Sequence, residues 1–317
     1  MNALVVIQAR MGSSRLPGKV LEPLAGRPLL AFMLERIAEL DIGQVVVATS
    51  DHLRDDPVAA LGHELGVPVV RASEPDVLSR FVAAIDTHPA ERIVRLTADS
   101  PLCDPAVVSD ALALHDRRGV AYTSNSLLRT FPDGLDVEIL EAAALREADE
   151  HATNADEREH VTPYVQRHPD RFPIAQLDSG CGLGHLRWTV DEPADLEALR
   201  AMVAAVERPE RAPWRDFLGA SPSSPEPALT PARAGDDLPG APPWVERAAR
   251  DWYGGGGGRP FVRVYTDRRG GWIALEVVEG VARVTLGPER ERGRLLGEAR
   301  AVVAGDRQLT ELLETPA

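Results

Sequence analysis

The sequence predicts an α/β protein: a mixed, mostly parallel β-sheet flanked by helices, followed by a small C-terminal α+β appendage. Short apolar runs rich in β-branched residues alternate with segments of helical periodicity, which is the pattern of repeated βαβ units. The composition then becomes proline-rich before strand-like runs resume. A chain of 317 residues with 44% hydrophobic content is long enough for one large domain and a smaller one.

Four apolar runs mark the first predicted strands, at residues 3–7, 44–49, 68–70 and 92–98. A helix predicted at 29–40 has its apolar side chains on one face, and a helix predicted at 76–85 begins with Asp76 as its N-cap. Further helices are predicted at 105–117, 141–151, 157–168 and 193–206. The mixed sheet is completed by strands predicted near 134–140, 172–177 and 185–190.

We predict three parts along the chain: a main domain at 1–217, a proline-rich linker at 218–243 and a small module at 244–317. Proline supplies no backbone N–H, so the linker cannot form a helix or a central strand. The small module contains two strand-like stretches, "FVRVYT" and "GWIALEVV", and an end rich in arginine and glutamate that is typical of a helix.

The overall charge limits the possible partners. A formal net charge of −14 and a pI near 5.1 argue against a nucleic-acid binder and against binding to a membrane surface. The first residues lack the features of a signal peptide, and no apolar stretch approaches the ~20 residues of a membrane span. Cys103 and Cys181 are too few for a disulfide framework, so we expect a cytoplasmic protein.

The N-terminal segment "IQARMGSSRLPGKV", residues 7–20, contains the only lysine of the chain. Lys19 shares this segment with Arg10 and Arg15, and no acidic residue appears before Glu22. Such a local excess of positive charge indicates an anion-binding loop. In a chain that otherwise uses arginine, a retained lysine indicates a place where a compact ammonium fits and a planar guanidinium does not, although chance survival of a surface lysine is the alternative.

The same loop has the flexibility and the donors of a phosphate-binding loop. Gly12 and Gly18 allow tight turns and close approach to a ligand, and Ser13 adds a hydroxyl donor. The loop follows the first predicted strand, at the sheet edge where α/β proteins bind ligands. It is not the phosphate loop of the ATPases, because the glycine spacing is wrong and Val20 follows Lys19 where Ser or Thr is required.

This stretch closely resembles the opening of the SpsF-like cytidylyltransferases, which are related to the CMP-sialic acid and CMP-KDO synthetases. Further segments follow the pattern of that family in order, at 55–81, 95–105, 122–125, 131–140, 157–165 and 185–197. The resemblance covers about two thirds of the chain. It implies a Rossmann-like fold of the nucleotide-diphospho-sugar transferase (GT-A-like) type.

The resemblance also implies roles for individual residues. The nucleotide-binding set that it implies is Gln8, Ala9, Arg10, Gly12, Ser13, Arg15, Lys19, Arg71, Ser79 and Arg80. The acceptor-binding set is Asp133, Asp136, Glu138, Arg158 and His160. Ser79 and Arg80 could also be ordinary helix-surface residues, and His160 could simply pack a helix.

Two aspartates end predicted strands at the same edge as the basic loop: Asp99 in "ADSP" and Asp191 in "VDEP". The resemblance implies that both bind a catalytic Mg²⁺, an ion that takes oxygen ligands. Each could instead cap the helix that follows, since aspartate before a proline-led helix is common.

The reaction that the resemblance implies is attack of an acceptor oxygen on the α-phosphorus of CTP, with release of pyrophosphate. Arg10, Lys19 and Asp99 are the predicted catalytic residues. The acceptor is an acidic sugar or a phosphonate, and a homodimer is possible. A glycosyltransferase that uses a finished nucleotide sugar is an alternative, but such enzymes commonly hold metal with Asp-x-Asp, and here Ser100 and Pro101 follow Asp99. A binding protein with a decayed site is disfavoured because these residues are intact.

Residues 271–299 resemble part of a GNAT-type N-acetyltransferase, in which an Arg-x-x-Gly-x-Gly/Ala loop meets the pyrophosphate of acetyl-CoA. Gly293 lies at the right spacing from Arg290, but Leu295 stands at a small-residue position and would obstruct a phosphate. The module is also about half the expected length of such a domain. We therefore expect a degenerate or truncated module, such as an oligomer contact, unless acetyl-CoA binds it with micromolar affinity.

Overall fold

A computed structural model of the chain describes residues 3–127, 129–179, 183–222, 230–231, 261–266, 272–278 and 281–287. The chain divides into two compact units, the first made of residues 1–168 with 172–224 and the second of residues 169–171 with 225–317. The three-part division predicted from the sequence remains a prediction. Within the described residues, no helix is long and apolar enough to cross a membrane.

The first unit alternates strands and helices as the sequence predicts. Its strands are β1 (Ala3–Gln8), β2 (Pro23–Leu24), β3 (Arg27–Pro28), β4 (Gly43–Ser50), β5 (Val69–Ala72), β6 (Arg92–Thr97), β7 (Tyr122–Ser124), β8 (Glu138–Glu141) and β9 (Ile174–Gln176). Its helices are α1 (Leu29–Ile37), α2 (Asp56–Glu64), α3 (Val77–Thr87), α4 (Pro105–Arg118), α5 (Ala142–His151), α6 (Ala155–His160), α7 (Pro163–Arg167) and α8 (Pro193–Ala204).

Seven strands form one mixed sheet in the order β5-β4-β1-β6-β8-β7-β9. β1 is central and pairs in parallel with both β4 and β6, while β8 runs antiparallel to β6 and β7. Parallel strands end at the same edge of a sheet, so the loops that follow β1, β4 and β6 lie side by side. This edge carries the candidate site.

Helices cover both faces of the sheet. Val5 and Ile7 of β1 pack in one apolar cluster with buried residues of α1, α4 and α8. Leu4 and Val6 face the other way and pack with α3 and α5. Because both faces of this central strand are buried, the segment is a continuous apolar run.

Two segments differ from the predicted elements. The helix predicted at 157–168 is split into α6 and α7 by Val161, whose φ is 73°. The N–H of Thr162 donates to the carbonyl of His160 across Val161 in a γ-turn, and Pro163 then starts α7. Positive φ is rare for a β-branched residue, so helical periodicity gave no warning of this break.

The strand predicted at 185–190 is also wrong. This segment makes only an isolated bridge, between Asp133 and Arg187. The chain leaves the paired register at the next residue, because Gly134 has a φ of 118°. Conversely, β7 was not predicted as a strand, since its three residues are too short to show a periodicity.

The described part of the second unit is an antiparallel sheet. Its strands are β10 (Thr230–Pro231), β11 (Phe261–Thr266), β12 (Trp272–Val278) and β13 (Val281–Gly287), paired in that order. β11 and β12 confirm the two strands predicted from the sequence, and β10 lies within the predicted linker. The predicted helical end, with Arg290, Gly293 and Leu295, lies outside the described residues.

Candidate nucleotide site

The basic loop between β1 and α1 folds back on itself. The amides of Ser13 and Gly18 both donate to the carbonyl of Met11, at 2.9 and 3.0 Å. Gly18 has a φ of 75° and begins a short 3₁₀ helix, Lys19–Leu21. Glycine adopts this conformation at little cost, and it turns the chain so that Lys19 enters the interior.

Lys19 lies between the two aspartates that the sequence singled out. Its Nζ donates to Asp99 Oδ2 at 2.9 Å, to Asp191 Oδ1 at 2.9 Å and to the carbonyl of Val190 at 2.7 Å. An ammonium has three N–H donors, and these three acceptors match them. Lys19 is only 8% exposed, so the planar fork of an arginine would have to displace its surroundings to fit. The position explains why this cation is a lysine.

The backbone brings Asp99 and Asp191 to the same point. Asp99 follows β6, and its carbonyl accepts from the amide of Val190 at 2.8 Å, so the two chain segments run together. Neither aspartate is the N-cap of the following helix, because Asp104 caps α4 and Glu192 is the N-cap of α8. The capping alternative is therefore wrong for both carboxylates, which are left to face Lys19.

Asp191 is surrounded by cations. Its Oδ2 lies 3.1 Å from a guanidinium nitrogen of Arg15 and 2.8 Å from one of Arg187. Burial alone would raise the pKa of Asp191, but the hydrogen bond and charge of Lys19, with Arg15 and Arg187, lower it below its ordinary value. Asp191 is thus held as a carboxylate.

The donor chemistry of this point fits a hard divalent cation. Asp99 and Asp191 each have an oxygen 2.9 Å from the same atom, Lys19 Nζ, so these two oxygens are no farther apart than twice that distance. Among the described residues, no group of three or more His, Cys, Asp and Glu side chains could hold a metal. Two carboxylates are the usual protein contribution to Mg²⁺ when phosphate oxygens and water supply the remaining ligands.

Asp55 holds the basic loop through a hydrogen bond to its backbone at Met11. Sequence reasoning missed this residue. Its Oδ1 accepts from the amide of Met11 at 2.8 Å, and its Oδ2 accepts from the amide and hydroxyl of Ser50. Burial tends to raise the pKa of Asp55, but these hydrogen bonds outweigh it and lower the pKa. Gly12 passes so close to Arg54 that a Cβ would lie 3.2 Å from its guanidinium carbon.

Gln8 is the last residue of β1, and Ala9 is the first residue of the loop that follows. Ala9 is buried, and its amide donates to the carbonyl of Ala48. Gln8 Oε1 accepts from Arg95 at 3.3 Å, and Arg95 in turn donates to Glu138. Gln8, a predicted nucleotide ligand, is thereby linked to Glu138, a predicted acceptor ligand.

Glu138 lies in the protein interior, with 6% of its surface exposed. Besides Arg95 it accepts a hydrogen bond from the hydroxyl of Tyr122, which also accepts from Gln166 at 2.9 Å. Burial, with the charge of Glu138, raises the pKa of Tyr122 well above its ordinary value, so the tyrosine stays protonated. Glu138 thus contributes to a buried polar network that the sequence did not reveal.

The residues predicted near the nucleotide base and ribose differ in their surroundings. Arg71 donates to the carbonyls of Ser50 and His52 at 2.9 and 3.0 Å, which ties β5 to the loop after β4. Ser79 lies in the first turn of α3, where its amide and hydroxyl both bond to Asp76. Both side chains therefore have local structural partners.

Arg80 is fully buried and makes one hydrogen bond, from Nη2 to the carbonyl of Glu74 at 3.0 Å. Within the described residues its Nε and Nη1 have no partner. Burial, together with the charge of Arg10, lowers the pKa of Arg80 to about 10, so it remains a cation at neutral pH. A buried guanidinium with donors to spare is not an ordinary helix-surface residue, and it is suited to bind a ligand.

The other four predicted acceptor residues fall into two groups. Asp133 and Asp136 share Arg129, whose nitrogens lie 2.7 Å from Asp133 and 2.9 Å from both oxygens of Asp136. Burial raises the pKa of Asp136 above its ordinary value, and the attraction of Arg129 opposes that effect without cancelling it. Arg129 lies outside the segments that match the family pattern, so no sequence signal pointed to it.

Arg158 and His160 lie on α6, in the second group. Arg158 donates to Asp76 and Asp149, and His160 Nε2 lies 3.5 Å from Asp156 one turn earlier. From the same helix, Glu159 lies 3.5 Å from Arg10 of the basic loop.

Comparisons with known proteins identify the family of this chain. A family model described as cytidylyltransferase matches residues 4–200. The spore coat polysaccharide biosynthesis protein SpsF of Bacillus subtilis is 35% identical over 216 residues, or 65% of this chain and 89% of SpsF. A 3-deoxy-manno-octulosonate cytidylyltransferase of Mesorhizobium japonicum is 36% identical over 114 residues, or 35% of this chain and 47% of that enzyme.

A solved cytidylyltransferase structure from Leptospira borgpetersenii serovar Hardjo-bovis has a TM-score of 0.66 and 32% identity, covering 69% of this chain and 93% of that one. The nucleotide-diphospho-sugar transferase fold implied by the resemblance is thereby confirmed. The matched family residues span both the basic loop and the two aspartates around Lys19. The chain belongs to the cytidylyltransferase family.

Proposed function

We propose that this protein transfers a cytidylyl group from CTP to an acidic sugar and releases pyrophosphate. The observation that carries the proposal is the meeting of Lys19, Asp99 and Asp191 at the edge of the sheet where the basic loop lies. The family membership and the names of the relatives support CTP as the nucleotide and an acidic sugar as the acceptor.

In the proposed reaction an acceptor oxygen attacks the α-phosphorus, the bond from that phosphorus to the oxygen bridging to the β-phosphate breaks, and pyrophosphate leaves. A hydroxyl acceptor gives its proton to solvent, and an ionised acceptor has none to lose. Arg10 and Arg15 of the basic loop would supply positive charge to the triphosphate, and Lys19, which contacts Asp99 and Asp191, would add its charge beside the two aspartates. Asp99 and Asp191 would hold Mg²⁺, which when bound neutralises phosphate charge. Catalysis of this kind depends mainly on positioning and electrostatic stabilisation.

The acceptor side requires little chemistry from the protein. An anomeric hydroxyl is more acidic than an ordinary alcohol, and a phosphonate acceptor is already ionised, so no strong general base is needed. Asp133, Asp136 and Arg129 offer both acceptors and donors for the hydroxyl and acidic groups of a sugar. The name of SpsF, a spore coat polysaccharide protein, supports a role in polysaccharide biosynthesis. We place the reaction in the cytoplasm, where CTP is available, and the homodimer remains a prediction.

The proposal is tested by a pyrophosphate-release screen that crosses four nucleoside triphosphates with acidic sugars and phosphonates, with and without Mg²⁺. We expect release only with CTP, an acceptor and the metal, and loss of release in Lys19→Ala and Asp99→Asn. Arg27→Gln is the control, because the ion pair of Arg27 is with Glu35 on α1 and not with either aspartate. Turnover that requires a nucleotide sugar in place of CTP, or full activity in Asp99→Asn, contradicts the proposal.

A further inference from the structure

We propose that Arg158 is a positioning residue of the nucleotide side rather than a ligand of the acceptor; the inference rests on the proposed function. Arg158 projects from α6 towards the start of α3. Its Nε donates to Asp76 Oδ1 at 3.0 Å, and its Nη2 donates to Asp76 Oδ2. This two-pronged pairing fixes both the distance and the orientation of the carboxylate.

Asp76 in turn contacts residues that are predicted to bind the nucleotide. Its Oδ1 is the N-cap acceptor for the amide of Ser79 at 3.0 Å, and its carbonyl accepts from the Ser79 hydroxyl at 2.8 Å. Its charge also acts on Arg80, the next residue of α3. A shift of Asp76 would therefore move the first turn of α3, which carries both side chains.

The other bonds of Arg158 leave it little capacity for a substrate. Nη1 donates to the carbonyl of Asp149 at 2.8 Å, and Nη2 donates to Asp149 Oδ1 at 2.6 Å. Four hydrogen bonds thus join α6 to both α3 and α5. The hydrogen bonding of Arg158 to the Asp76 carboxylate is the main reason why the pKa of Arg158 is raised above its ordinary value.

Helix α6 is itself firmly held, as a positioning element must be. Asn154 caps its first turn through the amide of Glu157 at 2.8 Å, and Arg167 of α7 pairs with Asp156 and Glu157. The buried Val161, with its φ of 73°, closes the helix in a conformation that persists only when the surrounding structure determines it.

The matched experiment compares Arg158→Gln with Arg146→Gln. Arg146 on α5 pairs with Asp86 at the far end of α3, at 2.8 Å, so the control removes the same charge from a neighbouring contact to the same helix. Calorimetric titration with CTP and Mg²⁺, without acceptor, is expected to show about tenfold weaker binding in Arg158→Gln. Arg146→Gln is expected to bind like the wild type, and Arg158→Lys to recover part of the loss through a single charged contact.

Hydrogen exchange of the amides at residues 77–80 gives a readout that needs no nucleotide. We expect faster exchange there in Arg158→Gln than in Arg146→Gln, because only the first substitution removes the pairing that orients Asp76, the N-cap of α3. Unchanged exchange at 77–80, or unchanged CTP affinity with a raised KM for the acceptor, overturns the inference. A wild-type protein that binds no CTP contradicts the proposed function instead, and the exchange measurement then still decides the role of Arg158 in positioning α3.

Discussion

Replacing Lys19 with methionine removes the ammonium and keeps a side chain of similar length. The two oxygens that contact Nζ, Asp99 Oδ2 and Asp191 Oδ1, then face each other without the cation between them. Arg15 and Arg187 still contact Asp191 from its outer side. The variant therefore isolates the repulsion between two carboxylates at one point of the site.

The size of that repulsion follows from Coulomb's law. Two unit charges about 6 Å apart repel by about 3 kcal/mol at an effective dielectric constant of about 20. Arg15 and Arg187 offset part of this at Asp191, so we expect the free energy of unfolding to fall by about 1–3 kcal/mol in metal-free buffer. In the proposed site, the wild-type ammonium would compete with a metal ion for the same oxygens. Its removal is therefore expected to strengthen Mn²⁺ binding about tenfold without nucleotide, while CTP turnover falls by about a hundredfold or more.

The assay is thermal unfolding at increasing Mn²⁺ concentration, together with pyrophosphate release from CTP. A bound cation stabilises the folded state by mass action, so Mn²⁺ should raise the Tm of Lys19→Met more than that of the wild type. Arg27→Met, which breaks an exposed ion pair with Glu35, serves as the control and should respond like the wild type. Weaker Mn²⁺ binding in Lys19→Met, or wild-type turnover, would refute the reasoning.

Three other predictions concern stability and reactivity. Gly134→Ala should lower the free energy of unfolding by about 3 kcal/mol, since a Cβ there would lie 2.7 Å from the Trp188 carbonyl carbon. Gly26→Ala is the control, because a Cβ there would meet no atom within 4 Å, and it should lower the free energy of unfolding less in the same denaturant titration. The lowered pKa of Asp191 stabilises the fold above the unfolded-state pKa of about 4, and this contribution is lost as the pH falls through the folded-state value. Stability should therefore fall less from pH 6 to pH 3 in Asp191→Asn than in the wild type, and an equal fall would contradict the linkage. Burial raises the pKa of Cys103 to about 12, so its thiol should react with a disulfide reagent only after unfolding, as peptide mass spectrometry would detect.

The location of the candidate site could be predicted from the sequence because it depends on strand order rather than on side-chain detail. Lys19 follows β1 and Asp99 follows β6, and adjacent parallel strands necessarily bring these loops together. Asp191 lies at the same point, although the segment before it, 185–190, does not form the predicted strand. A backbone hydrogen bond from the Val190 amide to the Asp99 carbonyl joins the two segments there.

The partners of individual side chains could not be predicted in this way. Arg80 and Arg158 both lie in predicted helices, and nothing in the sequence separates them. Arg80 is buried with two nitrogens unpaired within the described residues, whereas Arg158 donates to two aspartates. Asp55 supports the loop through a backbone amide more than forty residues away in the chain, a contact that no local pattern encodes. The break at Val161 needs positive φ at a β-branched residue, which sequence periodicity argues against.

The measurement that tests the central claim most directly is a crystal structure with a non-hydrolysable CTP analogue and Mn²⁺, in which anomalous scattering locates the metal. The account predicts a metal peak bound by the carboxylates of Asp99 and Asp191, with the triphosphate against the loop that carries Lys19. A metal bound only by other side chains, or a nucleotide at a different edge of the sheet, would contradict it.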